Sequence, residues 1–244
     1  MPEAQITILE AILFEPDVEV LLRAAKMDAD APFMGDFQAL AEQASGVAKP
    51  KGVYMMADVE PMDENTVRIG VVLFTGRVVA YNLKGLHRAF PAICTCGTEL
   101  EAWSRGLTDP LEQFWADTIK EHALRTAISV LRDHLTRTYA LGKRSMMNPG
   151  SLEGWPIDEQ RPLFELFGGV AKRIGVTLTE SCLMSPVKSV SGIWFEPERG
   201  FENCQLCPRP NCPGRRVPYD PELLDQYQGE ANRATILPQD LSLG

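Results

Sequence analysis

Cys204, Cys207 and Cys212 fall inside nine residues of the stretch "ENCQLCPRPNCPGRR", with the spacing C-x2-C-x4-C. Two residues between thiolates let one turn aim both sulfurs at a common centre, and the third sulfur arrives a turn later. A zinc ion there would need a fourth N or S ligand in tetrahedral geometry. An iron–sulfur cluster of the 4Fe-4S type would need four thiolates, often with proline after a ligand, as at Cys207-Pro208 and Cys212-Pro213. The histidines, His87, His122 and His134, all lie far upstream. The spacing therefore favours an iron–sulfur cluster, with zinc as the alternative.

The fourth ligand has to come from elsewhere in the chain. Cys96 is expected at a strand end, before a helix whose N-terminal N–H groups would favour a thiolate, and Gly97 beside it leaves room for a bulky cluster. Cys94 shares a strand face with Cys96 by the period of two. Cys182 is nearer in sequence, but its apolar surroundings in "TESCLMSP" suit a buried, inert thiol. Cys96 is the first choice, then Cys182 and Cys94.

The bulk properties set limits on what these thiols serve. A chain of 244 residues, 45% hydrophobic and 23% charged, can bury a core of ordinary size. A formal net charge of −9 argues against nucleic acid or an anionic membrane as partner. No apolar run is long enough to span a bilayer, and "MPEAQITILEAILF" lacks the basic region of a signal peptide. A cytoplasmic location is expected. In that compartment cysteines serve as metal ligands or reactive thiols more often than as disulfides.

The elements that would position the thiols fall into three parts. Residues 1–48 form an N-terminal helical segment: apolar spacing over 8–26, interrupted at Pro16, predicts two short helices, and 35–46 a third. Residues 49–196 form an α+β core. There "GVYMMADVE", "TVRIGVVLF", "RVVAYNL" and "FPAICTCG" read as strands, with Thr75-Gly76 as a hairpin turn. Thr98 with Glu101 fits a capping box. Asp109-Pro110 opens a long helix reaching about Tyr139. "DEQRPLFELFGG" is a short helix, and the apolar runs of 176–195 are strands broken at Pro186. Residues 197–244 form a tail rich in Pro, Gly and Arg, with little that could pack alone. Something must hold it down, and a metal at the thiols is the expected staple.

The block "LTESCLMSPVKSVSGIWF" resembles the reactivation (activation) domain of cobalamin-dependent methionine synthase. Thr179, Glu180, Met184, Pro186, Val190, Ser191, Gly192, Trp194 and Phe195 carry the match. The segment "MNPGSLEGWPIDEQRPLFELFG" resembles that family's Pro-Gly loop and following helix, and "TCGTELEAW" resembles its free-standing members. The resemblance covers about residues 50–196. It implies a twisted antiparallel sheet flanked by helices. It also implies a role in reductive reactivation: capping a corrinoid protein, admitting an electron to cobalt(II), and methylating the product from S-adenosylmethionine. In the synthase an arginine four residues before the loop glycine belongs to the S-adenosylmethionine site. Met146 holds that position relative to Gly150, and Arg144 lies two residues earlier. The cysteine tail is absent from the synthase domain, which implies an added electron carrier.

The reading is therefore an iron–sulfur accessory protein acting on a corrinoid (cobalamin) protein of a methyltransferase system, supplied by a ferredoxin or flavodoxin. Such clusters cover roughly −700 to +450 mV, which includes the low potentials cobalt(II) reduction needs. The readings of a different class are a non-catalytic capping module with structural zinc, or a methyltransferase component. Candidate ligand contacts are Arg144, Pro149, Gly150, Lys188, Ser189, Ser191 and Gly192. Ser191-Gly192 could equally be a close-packing pair. Trp155 and Trp194 could flank a flat ring or simply pack. Arg209, Arg215 and Arg216 could tune the cluster or dock a partner. The charged residues of the long helix read as a solvated face.

Overall fold

The chain enters its sheet at once. Strand β1 (Ile6–Leu9) pairs antiparallel with β2 (Lys51–Met55), and α1 (Val18–Ala25) and α2 (Met34–Val47) lie between them in sequence. The computed structural model describes residues 5–28, 30–151, 154–197, 201–212 and 215–228. The helix expected from Ile8 does not start there: Ile8 and Leu9 end the strand "ITIL". This stretch is a strand because a four-residue apolar run carries no periodicity of its own and the open edge of β2 decides its conformation.

Strands β3 (Ala57–Pro61), β4 (Thr66–Ile69) and β5 (Val72–Thr75) form a meander, followed by helix α3 (Arg77–Leu83). The strand expected at "RVVAYNL" is thus a helix. Its β-branched Val78 and Val79 and its Leu83 bury one side against the sheet, and that packing overrides the local strand preference. Strand β6 (Arg88–Thr95) is the spine. Along one edge it pairs first with β3 and then with β2, and along the other with β10 (Ser189–Phe195), all antiparallel. The whole is an eight-stranded curled sheet that also includes β7 (Ser145–Met147).

Helix α4 (Thr98–Arg105) precedes the 30-residue α5 (Pro110–Tyr139). The Asp109 carboxylate caps α5, accepting from the Leu111 and Glu112 N–H groups at 2.8 and 3.1 Å, as its sequence predicts. The capping box expected at Thr98 does not form: Gly97 is the cap, and the Thr98 hydroxyl meets Glu99. After β7 come α6 (Gln160–Phe167), α7 (Val170–Arg173), and the small hairpin β8 (Thr177–Leu178)–β9 (Met184–Ser185). Helices α8 (Asn203–Leu206) and α9 (Pro221–Gln228) belong to the tail.

Each face of the sheet carries its own core. On one face Tyr54, Phe90, Cys94, Cys96 and Trp194 pack under α1, α2, α4 and α5. On the other, Val53, Phe74, Ile93, Ile193 and Phe195 pack under α3, α6 and the tail residues Phe201, Leu206 and Tyr227. No helix of the described residues is long and apolar enough to cross a membrane.

Candidate functional site

The tail is seated by its own side chains. Phe201, Leu206 and Tyr227 are 5%, 2% and 4% exposed, comparable with the sheet residues beneath them. Ser145 Oγ donates to the Phe201 carbonyl, the Asn203 amide donates to Asn148 Oδ1 at 3.1 Å, and the Tyr227 hydroxyl donates to Asn82 Oδ1 at 2.7 Å. The tail, expected to be stapled by a metal at the thiols, is thus seated by packing and hydrogen bonds of its own. Three apolar anchors over 27 residues have no period, so no pattern in the sequence announced them.

The thiol loop is built around Arg215. Its guanidinium donates to the carbonyls of Cys204 and Cys207, both at 3.0 Å, and to those of Arg209 and Val217. Its backbone N–H donates to the Cys212 carbonyl at 3.1 Å. One residue thus ties down the backbone of all three cysteines. Arg216 is taken up by Glu202 at 2.7 Å, while Arg209 is exposed. Each of the three cysteines is half-buried. Among the described residues no three Cys, His, Asp or Glu side chains stand close enough together to hold a metal ion.

The other cysteines are placed differently. Cys94 and Cys96 are buried on the α5 face of the sheet, opposite the core that seats the tail. Burial pushes both thiols up to about 12, with Glu101 adding to the effect at Cys96. The room expected beside Gly97 is filled by the Lys49 carbonyl, which would lie 2.3 Å from an added Cβ. Cys182 is buried in the turn before β9. A hydrogen-bond relay joins it to the tail: Gln160 Nε2 donates to the Cys182 carbonyl, and Ser191 Oγ to Gln160 Oε1. Asn148 Nδ2 then donates to the Ser191 carbonyl and Asn203 Nδ2 to Asn148 Oδ1.

The remaining candidates cluster where β7 meets β10. Gly192 is required there: a Cβ would lie 2.6 Å from the Met147 carbonyl and 2.5 Å from Asn148 Nδ2. Gly150, next to Pro149, turns the chain at φ +75° against Ile157. Lys188 ion-pairs with Asp117 at 2.9 Å and with Glu121 at 3.6 Å. Burial alone would lower its ammonium pKa, but the two carboxylates outweigh that and hold it above its ordinary value. Ser189 donates to Thr95 Oγ1 and to the Pro186 carbonyl. Lys188, Ser189 and Ser191 thus have internal partners and fix β10 in place. Arg144 is only partly satisfied: its Nη1 donates to the Gly142 carbonyl at 3.4 Å, while its Nε is buried without a partner among the described residues. Trp155 and Trp194 lie in the two separate cores and cannot flank one ring. Between α3 and α9 lies a hollow of about 560 Å³, lined by Tyr81, Lys84, Leu86, Pro197, Phe201 and Tyr227.

The architecture defines the class: a curled antiparallel sheet with helices on both faces and a Pro-Gly loop packed against a V-S-G strand. It is the fold of the crystal structure of the MetH reactivation domain bound to AdoHcy, at TM-score 0.60 and 15% identity over 82% of this chain and 81% of that one. Residues 153–201 match the sequence model of the vitamin B12-dependent methionine synthase activation domain, so the resemblance first seen in the V-S-G block holds in both sequence and fold. Comparison with curated proteins returns no match.

Proposed function

We propose that this protein reductively reactivates a corrinoid protein of a methyltransferase system, and that Cys204, Cys207 and Cys212 carry an iron–sulfur centre serving as its electron carrier. The observation that carries the reading is the pairing of a reactivation-domain fold with a thiol loop that needs no metal to stay seated. Because Phe201, Leu206 and Tyr227 hold the tail, a purely structural zinc site would add nothing the packing lacks. The half-buried sulfurs are then left for chemistry at the surface. The described side chains do not close a metal site by themselves, so loading requires the loop to adjust around Arg215 and a fourth ligand to join. Of the remaining cysteines, Cys182 is the one that connects to the tail among the described residues, through the Gln160–Ser191–Asn148 relay.

The solved reactivation domain was crystallised with AdoHcy. We extend a related use, S-adenosylmethionine as methyl donor, to Arg144 with the Pro149-Gly150 turn. The unpartnered Arg144 Nε supports this, since a buried cationic donor suits a ligand carboxylate. A corrinoid protein is the partner the fold suggests, with a ferredoxin- or flavodoxin-type donor upstream.

The test is iron, zinc and acid-labile sulfide analysis of anaerobically purified protein. Iron with sulfide, lost on Cys204→Ser, supports the reading. A colourless protein holding only zinc, or no metal at all, overturns it. Isothermal titration with S-adenosylmethionine, repeated on Arg144→Ala, tests the methyl-donor part separately.

A further inference from the structure

The thiol loop also joins two of its cysteines across one backbone turn. The Cys207 N–H donates to the Cys204 carbonyl, closing a single turn across Gln205 and Leu206. A turn closed by that bond keeps its end Cα atoms within about 7 Å. Disulfides span Cα separations of roughly 4.4–6.8 Å. Cys204 lies in α8 and Cys207 caps it, so the two stand three residues apart at the ends of one turn. The Arg215 guanidinium fixes both ends of the turn, since it donates to both cysteine carbonyls at 3.0 Å. Cys212 lies outside this turn, and among the described residues the Arg215 backbone N–H is what ties its carbonyl.

We infer that Cys204 and Cys207 form a reversible dithiol–disulfide couple, positioned by Arg215, with Cys212 left as a free thiol. The reaction partner is a small-molecule disulfide. One thiolate of the pair attacks a sulfur of that disulfide, its S–S bond breaks, and a first thiolate leaves. The second cysteine then attacks the mixed disulfide, forms the Cys204–Cys207 bond and expels the second thiolate. The two protein sulfurs lose two electrons together, and the two departing thiolates gain them and take up the two protons. The couple withdraws two of the three sulfurs proposed above to hold metal, so oxidation and metal loading exclude each other. That consequence rests on the metal reading; the bond itself does not.

The experiment uses the full chain, prepared without metal and treated with oxidised glutathione. Cys94, Cys96 and Cys182 are buried, so native thiol titration is expected to count the three tail cysteines before treatment and one after treatment with a single equivalent of oxidised glutathione, once the released glutathione is removed. Peptide mapping is expected to return a 204–207 link in the wild type and in Cys212→Ser. Cys204→Ser and Cys207→Ser are expected to stop at the glutathione adduct. A link involving Cys212, or stable glutathione adducts on Cys204 and Cys207 of the wild type, would overturn the proposal. Because mapping is done on the wild type, a misfolded variant does not decide the matter. A chain that forms this bond but binds neither iron nor zinc refutes the metal reading alone, and one that loads iron but never forms the bond refutes the couple alone.

Discussion

Replacing Leu206 with alanine tests whether packing or a metal seats the tail. Leu206 is 2% exposed and lies in the core shared with Phe195, Phe201 and Tyr227. Truncating a leucine at such a site costs roughly 2–5 kcal/mol, through lost transfer energy and the cavity left behind. If the tail opens as a local unit, that cost falls on its docking equilibrium and not on the whole domain. Cleavage of the transiently open form follows the open population, and 1.36 kcal/mol is a factor of ten, so trypsin should cut at Arg215 or Arg216 roughly thirtyfold to a few thousandfold faster. A chelator should accelerate wild-type cleavage far less than Leu206→Ala does, because packing and not a metal seats the tail. The reasoning is refuted if chelation alone accelerates cleavage as much as Leu206→Ala does, or if Leu206→Ala leaves the rate unchanged.

Further outcomes follow from other contacts. Gly192→Ala forces a Cβ to within 2.6 Å of the Met147 carbonyl. Overpacking of this kind costs roughly 1–3 kcal/mol, so thermal unfolding should shift down by roughly 2–12 °C; an unchanged midpoint would contradict the close β7–β10 approach. His122 accepts from the Asp17 N–H at 3.4 Å, and burial, reinforced by Arg125 and opposed by Asp17, holds its pKa below 6.5. A depressed imidazole favours the fold above 6.5 and loses that contribution as pH falls through its folded value. Urea unfolding between pH 7.5 and 5 should therefore weaken more in the wild type than in His122→Gln; equal slopes would remove His122 from the account. Cys96→Ser should leave metal content intact while Cys204→Ser abolishes it, and the reverse pattern would place the centre on the α5 face after all.

Much of the α+β scaffold was legible, because its signals are local. Asp109-Pro110 states where α5 begins, the β-branched runs of β2 and β6 have no helical competitor, and the V-S-G block points to the right fold. What was not legible depended on distant partners. "ITIL" becomes a strand only because β2 offers an edge, and "RVVAYNL" a helix only because the sheet accepts Val78, Val79 and Leu83. At the candidate site, the spacing of the tail cysteines drew attention to the loop that Arg215 ties together. The sequence could not show that Cys96 faces the opposite core, nor that Arg215, read as a tuning or docking charge, is the residue the loop folds around. Hydrogen bonds from one guanidinium to four carbonyls leave no periodic or compositional trace.

The most direct measurement of the central claim is the electron paramagnetic resonance signal of cobalt(II) in a corrinoid protein mixed anaerobically with this protein and a low-potential reductant. The account predicts that the signal decays when wild-type protein is present and persists with Cys204→Ser or with reductant alone. A signal that decays equally with the Cys204→Ser variant, or that persists with fully loaded wild type, would contradict it.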